Sequence, residues 1–391
     1  MKKLICLITA LLIFNSFHLV SADDKNIIII NFFEAIASFE EFAQDWRTNE
    51  YVSSPDGTLA YITDSANTKL LNTNWNVFET TSPFCFEPVH SKKNIINVTA
   101  TTLWLEPNES RAIDQSSLNP SVNLAKWTSS MNLDEKLWLV GKIETQALYG
   151  QEVTILQKQG DWLQIAVNDQ STPKNSSGYP GWVPSSHILE HNSYYETCSI
   201  AIIDVKTTAL FDDPQLDNKY MDLSFNTRLP IIEENERWVK VHTPTNGFKY
   251  LDKKSIQIYE NVQSIPKPTQ VDIVKTATKF IGLPYIWAGT SGFGFDCSGF
   301  THSIYKRHGI LIPRDASAQI KEGKPIDRND LQPGDLMFFA YNNGAGKVHH
   351  VGMYIGNGQM IHSPNSNSSV EIISIEATTY KSEFAGARRY L

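Results

Sequence analysis

The sequence predicts a multidomain chain in which two small all-β domains precede an α+β domain, with a short helical region near the amino terminus. The chain has 391 residues, more than one compact core accommodates, so several domains are expected. From about residue 95 to 260, short apolar runs are separated by Pro, Asn, Asp and Gly, which is typical of β-strands and turns. After residue 270 both helical and strand patterns occur. The hydrophobic content of 41% excludes a disordered chain.

Residues 1–22 are typical of a secretory signal peptide. Two lysines precede an apolar stretch that ends in Val-Ser-Ala, so cleavage is predicted after Ala22. The apolar run is too short for a membrane span, and we expect an exported protein, periplasmic or extracellular, with no membrane span after cleavage. The next region, residues 23–91, is predicted to be helical because apolar residues recur at steps of four and three from Phe32 to Trp46.

Acidic residues outnumber basic residues in this chain. The formal net charge is −8, and removal of the signal peptide with its two lysines makes it −10. An acidic protein gains no electrostatic attraction to nucleic acid or to an anionic membrane. We therefore expect no nucleic-acid partner, and instead a neutral or cationic one such as a peptide with a free amine.

A hairpin pattern occurs twice in the β-rich region. Val153–Ile165 and Leu229–Val241 have similar sequences, with Trp162 and Trp238 at the same position of each, and each is followed by a glycine-aromatic strand. The repeat is similar to paired bacterial SH3-like domains. The predicted boundaries are 92–191 for the first SH3-like domain, 192–260 for the second, 261–270 for a proline-containing linker and 271–391 for the last domain.

A glycine-rich loop runs into a predicted helix that begins at Cys297. Phe300 and Ile304 recur at helical spacing, Gly309 ends the run, and Asp296 or its neighbour caps the helix. A thiol in the first turn faces unpaired backbone N–H groups and the positive end of the helix dipole, which favour the thiolate. The pattern indicates a nucleophilic cysteine, although a lone cysteine is more commonly a small buried core residue.

Two segments carry a resemblance to a known family. PYIWAGTSGFGFDCSGF, which contains Cys297, and the later HHVGMYIGNGQMIHSP together resemble the NlpC-type family of papain-like bacterial cell-wall cysteine peptidases. The resemblance covers roughly the last third of the chain and implies an α+β papain-like peptidase domain. It further implies that Cys297 is the nucleophile, His350 the general base and acid, and His362 the residue that orients the base. The resemblance implies no cofactor. The sequence contains no HExxH or CxxC motif and therefore does not indicate a metal site.

The position of His362 depends on the register of a hairpin. A two-residue loop that pairs Gly356 with Gln359 would place His350 and His362 on opposite faces of the sheet. A three-residue loop that pairs Ile355 with Gln359 would make the two histidines diagonal neighbours on one face. We predict the second register, because the family uses the matching histidine to orient the base.

Several residues are candidate substrate ligands. Asp296 and Ser298 flank the proposed nucleophile: Ser298 either caps the helix or contacts the substrate, and for Asp296 we predict both roles. Tyr285 and Trp287 are either packing aromatics or substrate ligands, and the Tyr hydroxyl requires a polar partner. By resemblance, the backbone N–H of Cys297 and the hydroxyl of Tyr285 contribute to an oxyanion hole.

The first SH3-like domain carries a further clue to specificity. In family members that cleave only after a free L-Ala-γ-D-Glu, residues matching Glu144 and Tyr179 reach into the peptidase cleft. Together with the aspartate matching Asp296, they hold the amino group of the substrate. The alternative is that Glu144 is a surface glutamate and Tyr179 a core tyrosine. Arg314, in a segment that also matches the family, is expected to be structural.

The resemblance implies an exported γ-D-glutamyl-L-diamino acid peptidase that acts on peptidoglycan stem peptides, or on muropeptides already released from the wall. One alternative is an endopeptidase that cuts intact peptidoglycan and uses the SH3-like domains for anchoring. A second is a catalytically inactive wall-binding protein, and a third is an acyltransferase or lipid-acting relative.

Three cysteines remain after the predicted export, namely Cys85, Cys198 and Cys297. An odd number in an oxidising compartment indicates one disulfide and one free thiol. A Cys85–Cys198 bridge is the pairing that leaves the proposed nucleophile free.

Overall fold

The computed structural model describes residues 18–22, 25–30, 50–53, 59–62, 76–78, 92–192, 199–244 and 247–391. The chain divides into two compact units, Met1–Glu87 and Pro88–Leu391. Cys85 and Cys198 lie outside the described residues, so the disulfide stays a prediction.

The described part of the first unit is a five-stranded antiparallel sheet with the strand order β1-β2-β4-β3-β5. Its strands are β1 (His18–Ala22), β2 (Lys25–Ile30), β3 (Glu50–Ser53), β4 (Leu59–Ile62) and β5 (Asn76–Phe78). The predicted helix from Phe32 to Trp46 lies outside the described residues. The prediction of a helical region at 23–91 needs correction for the described segments, which are strands. The four consecutive isoleucines of β2 explain this locally, because β-branched side chains favour extended backbone.

The second unit begins with an all-β domain whose strand order is β12-β6-β9-β10-β11-β7-β8. Its strands are β6 (Lys92–Ile96), β7 (Ala100–Trp104), β8 (Ile143–Leu148), β9 (Glu152–Gln159), β10 (Trp162–Val167), β11 (Tyr179–Pro184) and β12 (Ile188–Asn192). Three short helices lie between β7 and β8: α1 (Gln115–Leu118), α2 (Leu124–Ser130) and α3 (Leu133–Trp138).

A second all-β domain follows, with the strand order β15-β14-β18-β17-β16-β13-β19. Its strands are β13 (Ile200–Ile203), β14 (Thr207–Phe211), β15 (Lys219–Ser224), β16 (Arg228–Glu234), β17 (Trp238–His242), β18 (Phe248–Asp252) and β19 (Ile256–Tyr259). The repeated hairpin is confirmed in both domains. Trp162 begins the return strand β10, which pairs with β9, and Trp238 begins β17, which pairs with β16.

The last domain combines helices with a six-stranded antiparallel sheet of order β22-β27-β23-β24-β25-β26. Its helices are α4 (Gln270–Thr278), α5 (Cys297–Arg307), α6 (Ala316–Gln319) and α7 (Thr378–Glu383). The strands of this sheet are β22 (Lys324–Ile326), β23 (Leu336–Ala340), β24 (Val348–Gly356), β25 (Gln359–His362), β26 (Glu371–Ser374) and β27 (Phe384–Arg389). Two further strands, β20 (Thr290–Ser291) and β21 (Gly294–Phe295), form a separate two-stranded sheet.

The core of the last domain lies between α5 and the sheet. Phe300 and Ile304 of α5 are fully buried and belong to the same apolar cluster as Phe338 of β23 and Val351 of β24. Apolar residues at helical spacing on α5 therefore meet apolar residues at alternate positions of the strands. This packing brings the first turn of α5 next to the middle of β24.

Candidate active site

Cys297 is the first residue of α5, and Asp296 is the residue that caps the helix. The side chain of Asp296 accepts a hydrogen bond from the backbone N–H of Gly299 at 2.7 Å. Phe300 and Ile304 hold the helix against the sheet. The predicted helix start and the predicted cap are both confirmed, and a local sequence pattern is sufficient to place Cys297 at the amino-terminal end of a buried helix.

The sulfur of Cys297 lies against β24. Backbone N–H groups of Val351 and Ser298 donate hydrogen bonds to it, which stabilises a thiolate. Burial acts in the opposite direction and is the larger effect: it raises the pKa of the Cys297 thiol to about 12, and the negative charge of Asp296 adds to the increase. The helix start and the N–H donors favour the thiolate as expected, but burial outweighs them and favours the thiol.

His350 on β24 and His362 at the end of β25 form a hydrogen-bonded pair. The distance between His350 Nε2 and His362 Nδ1 is 2.8 Å, and the side chains are 4% and 0% exposed. Since Nε2 of His350 is engaged, Nδ1 is the ring nitrogen left to exchange a proton with a thiol. We assign the hydrogen to His350 Nε2, which donates to His362. His362 then carries its own hydrogen on Nε2, which lies 3.5 Å from a carboxylate oxygen of Glu371.

Both histidines are neutral at pH 7. Burial lowers the pKa of His362 to about 4, and burial together with the neighbouring His362 and His349 lowers the pKa of His350 well below 6.5. The raised pKa of Cys297 and the lowered pKa of His350 both favour the neutral forms of the two groups. Attack by the sulfur therefore requires that the thiol proton be transferred.

The hairpin between the two histidines places His362 on the predicted face, but its turn differs from the predicted turn. Gly356 pairs with Gln359, so the predicted pairing of Ile355 with Gln359 is wrong. A bulge follows at Ile355, after which Tyr354 pairs with Met360. The extra residue in the bulge restores the face of the return strand, which is why His362 still meets His350.

Gly352 allows the close approach of the two strands at the histidine pair. A Cβ atom at this position would lie 3.3 Å from Cβ of His362 and 2.8 Å from Sδ of Met360. Both contacts are tighter than core packing tolerates without movement. The glycine therefore lets His362 lie beside His350.

Arg314 connects the nucleophile helix to the first all-β domain. Its guanidinium is 1% exposed and donates to Asp296 at 2.6 and 3.2 Å, to Ser298 Oγ at 3.0 Å and to Thr145 Oγ1 at 2.9 Å. These contacts agree with the structural role expected for Arg314. They also commit the side chains of Asp296 and Ser298 to contacts within the protein, in addition to the capping role of Asp296.

Tyr285 and Trp287, each predicted to be either a packing aromatic or a substrate ligand, have different surroundings. Tyr285 is 5% exposed, and its pKa is raised by burial and by the negative charge that Cys297 and Asp296 would carry nearby. Trp287 donates its indole N–H to the carbonyl oxygen of Ile143 at 3.1 Å, so its polar atom serves the contact with the first all-β domain.

Glu144 and Tyr179 lie close together at the interface between the first all-β domain and the last domain. Tyr179 donates its hydroxyl to the carboxylate of Asp315 at 2.9 Å and accepts from Nζ of Lys174 at 2.9 Å. Lys174 also forms an ion pair with Glu144. Asp296, predicted to complete this set, is instead paired with Arg314, and Asp315 supplies the second carboxylate.

Comparison with known proteins identifies the chain. It is 48% identical over 309 residues to the γ-D-glutamyl-L-lysine dipeptidyl-peptidase of Bacillus cereus, which covers 78% of this chain and 93% of that protein. The protein of the same name from Bacillus subtilis is 38% identical over 289 residues, 73% of this chain and 95% of that protein. The NlpC/P60 family pattern matches residues 282–389. The chain belongs to the NlpC/P60 family. It is a cysteine peptidase of that family, with two SH3-like domains before the peptidase domain.

The other matches agree with the domain order of an NlpC/P60 peptidase. Residues 141–188 match the bacterial dipeptidyl-peptidase SH3 domain, and residues 203–259 match the YkfC SH3b2 domain. The crystal structure of an NlpC/P60 family protein from Bacillus cereus superimposes with a TM-score of 0.74 at 48% identity, covering 77% of this chain and all of that chain. The predicted fold class is confirmed.

The NlpC/P60 site also contains a residue that the sequence did not single out. The ring of Tyr380 on α7 lies 5.3 Å from the ring of His350, 5.2 Å from that of His362 and 4.9 Å from that of Phe339. Burial and the nearby Cys297 raise the pKa of Tyr380 to about 12. An aromatic lid over two histidines depends on the return of the chain at α7, for which the sequence carries no local signal.

The described residues contain neither a metal-binding cluster nor a membrane-spanning helix. No group of three or more His, Cys, Asp or Glu side chains among them is arranged to hold a metal ion. Within the same residues, no helix is long and apolar enough to cross a membrane.

Proposed function

We propose that this peptidase hydrolyses the bond between γ-D-glutamate and an L-diamino acid in peptidoglycan stem peptides whose amino-terminal L-alanine is free. The observation that carries the proposal is the group of Glu144, Tyr179 and Asp315, which Arg314 connects to Asp296 at the start of the Cys297 helix. The Glu144 carboxylate and the Tyr179 phenol accept hydrogen bonds from one ammonium group, here that of Lys174, and the Asp315 carboxylate accepts from the phenol, an arrangement that suits a peptide amino terminus. The names of the two Bacillus relatives support the same reaction.

The acylation step uses the neutral pair of Cys297 and His350. As the sulfur attacks the γ-carbonyl carbon, His350 Nδ1 takes the thiol proton, and the carbonyl oxygen becomes an oxyanion. The backbone N–H of Cys297 and the hydroxyl of Tyr285 are the donors proposed to stabilise that oxyanion. The carbon–nitrogen bond then breaks, and His350 gives its proton to the leaving amine of the diamino acid.

Deacylation reverses the proton movement. The dipeptide L-Ala-γ-D-Glu is held as a thioester on Cys297, and His350 takes a proton from the attacking water. Collapse of the second tetrahedral intermediate breaks the carbon–sulfur bond, returns the proton to the sulfur and releases the dipeptide as its free acid. His362 orients His350 through the Nε2–Nδ1 hydrogen bond in both steps.

Asp315 takes the place in the amine site that the family resemblance implied for Asp296. The carboxylate of Asp296 is engaged by Arg314, whereas that of Asp315 contacts the Tyr179 hydroxyl and is half-buried. Burial raises the pKa of Asp315, and a bound ammonium would favour its charged form. Asp296 acts as the cap of the nucleophile helix.

The cellular role follows from the substrate and from the amino-terminal sequence. Residues 1–22 have the features of a signal peptide, so the protein is proposed to act outside the cytoplasmic membrane, in association with the cell wall. A requirement for free L-alanine selects stem peptides already detached from glycan, as in wall turnover or recycling. An endopeptidase acting on intact wall would not need an amine site.

Mass spectrometry of the products from L-Ala-γ-D-Glu-L-Lys and from L-Ala-γ-D-Glu-diaminopimelate tests the proposal. We expect one product, L-Ala-γ-D-Glu, in addition to the free diamino acid. Cys297→Ala and His350→Ala should abolish hydrolysis with folding intact, and His362→Ala should keep more activity because it orients the base without transferring the proton. Absence of cleavage at the γ-glutamyl bond, or near-normal turnover by Cys297→Ala, would refute the proposed reaction.

A further inference from the structure

Lys174 occupies the amine site with an ammonium group of the protein itself. It lies in the loop between β10 and β11 of the first SH3-like domain, 11 residues that run from Asn168 to Gly178. Its Nζ is ion-paired with Glu144, donates to the Tyr179 hydroxyl at 2.9 Å and lies 4.7 Å from the centre of the Tyr179 ring. A primary ammonium thus has three favourable contacts there.

The contacts of Lys174 are those that the proposed function assigns to the amino terminus of the substrate, and the inference rests on that function. Both groups are primary ammonium ions of similar size. The Tyr179 hydroxyl donates its one hydrogen to Asp315, so it is left to accept from an ammonium. Glu144 is 16% exposed in its side chain, which leaves little room for two ammonium groups at once.

The Lys174 side chain can leave without disturbing its loop. It is 41% exposed, whereas the start of the loop is anchored by the buried Gln170, which bonds Thr145 and the backbone of Gln146. The backbone N–H of Arg314 also donates to the carbonyl oxygen of Ser171. Rotation about the bonds of one lysine side chain is therefore sufficient to vacate the site.

We propose that Lys174 is a specificity-determining residue: an internal ammonium that fills the amine site until the amino-terminal ammonium of a substrate replaces it. Departure of Lys174 leaves the Glu144 carboxylate poorly hydrated unless another cation enters, so a peptide with a blocked amino terminus gains no access to the site. A peptide with a free amino terminus exchanges one ammonium for another. The apparent affinity for that peptide is lower than the intrinsic affinity, because only the molecules in which Lys174 has left the site can bind it.

Binding of the dipeptide L-Ala-γ-D-Glu to a Cys297→Ala background, measured by calorimetry, tests this exchange without any turnover. Adding Lys174→Ala or Lys174→Gln should lower the dissociation constant about fivefold, the factor equivalent to about 1 kcal/mol for a partly exposed ion pair. Lys142→Ala is the matched control, because Lys142 forms a comparable ion pair with Glu109 at 3.0 Å in the same domain. The control should leave the dissociation constant unchanged.

Kinetics of the otherwise unaltered enzyme give the second readout. Lys174→Ala should lower the KM for the free tripeptide about fivefold with kcat unchanged, and should not improve the N-acetylated tripeptide. A dissociation constant that is unchanged in both Lys174→Ala and Lys174→Gln would overturn the proposal. The contact of Lys174 with Glu144 would then be a surface ion pair without a role in specificity. Weaker binding would overturn it too, since Lys174 would then contact the substrate. Equal wild-type rates on free and N-acetylated peptide would instead refute the proposed function, whatever the lysine variants do.

Discussion

Replacement of Arg314 by methionine removes the guanidinium that joins the nucleophile helix to the first SH3-like domain. The side chain is 1% exposed and forms two hydrogen bonds with the carboxylate of Asp296, which is itself 7% exposed. Methionine fills much of the same volume, so the main effect is to leave a buried carboxylate without its counter-ion. Removing one partner of a buried ion pair costs about 3–5 kcal/mol. We expect the free energy of unfolding to fall by about that amount.

Urea unfolding followed by tryptophan fluorescence measures the effect. Asp296→Asn in the Arg314→Met background removes the unpaired charge and keeps a good helix cap, so it should recover more than half of the loss. Arg328→Met is the control, because Arg328 pairs with the exposed Glu376 at 3.0 Å and should cost less than about 1 kcal/mol. A loss below about 1 kcal/mol for Arg314→Met, or no recovery in the double variant, would refute the reasoning.

Three further outcomes are expected. Because burial raises the pKa of Cys297 to about 12, its alkylation by iodoacetamide should quicken about tenfold per pH unit between pH 7 and 10, and a rate that is flat near neutral pH would contradict a resting thiol. Gly352→Ala should push His362 away from His350 and lower kcat about 10- to 100-fold, as steady-state kinetics would measure, whereas a wild-type kcat would contradict the close approach. His187, which follows β11 in the first SH3-like domain, is fully buried, and burial lowers its pKa from 6.5 to about 4. Its contribution to stability is therefore complete above pH 6.5 and falls by about 3 kcal/mol as the pH drops to 4. His187→Gln should flatten this part of a pH–stability curve, and equal slopes would contradict it.

The position of Cys297 at the start of a helix could be predicted from the sequence because it depends on local pattern. The spacing of Phe300 and Ile304, the cap at Asp296 and the glycine-rich loop all lie within a few residues of Cys297. The ionisation of Cys297 could not be predicted in the same way. Desolvation depends on what packs over the sulfur from β24, and here it outweighs the helix dipole and the hydrogen bonds to the sulfur.

For the histidine pair, the sequence predicts the face of the strand but not the turn that produces it. The correct face for His362 was predicted, but the turn itself was wrong, because a two-residue turn followed by a bulge at Ile355 has the same effect on the facing of the strand as a three-residue loop. Sequence patterns distinguish faces, which have a period of two. They do not distinguish the different ways in which one extra residue is accommodated.

The amine site was only partly predictable because it joins residues distant in the chain. Tyr179 and Asp315 are separated by 136 positions and lie in different domains. Resemblance identified Glu144 and Tyr179 but assigned the second carboxylate to Asp296, the residue adjacent to the nucleophile. The structure shows that Arg314 takes up Asp296, and it places Lys174 between Glu144 and Tyr179. No local pattern marks Lys174 in a polar loop.

We propose that the enzyme requires a free amino terminus because Glu144, Tyr179 and Asp315 bind an ammonium group. The most direct test is kcat/KM for L-Ala-γ-D-Glu-diaminopimelate and for its N-acetylated form, with the wild type and with Glu144→Gln. We expect the wild type to prefer the free peptide by about 100-fold or more, since a blocked amine leaves buried polar groups unpaired. Glu144→Gln should lose activity on the free peptide only. Comparable rates of the wild type on both peptides would contradict the account and favour an endopeptidase acting on intact wall.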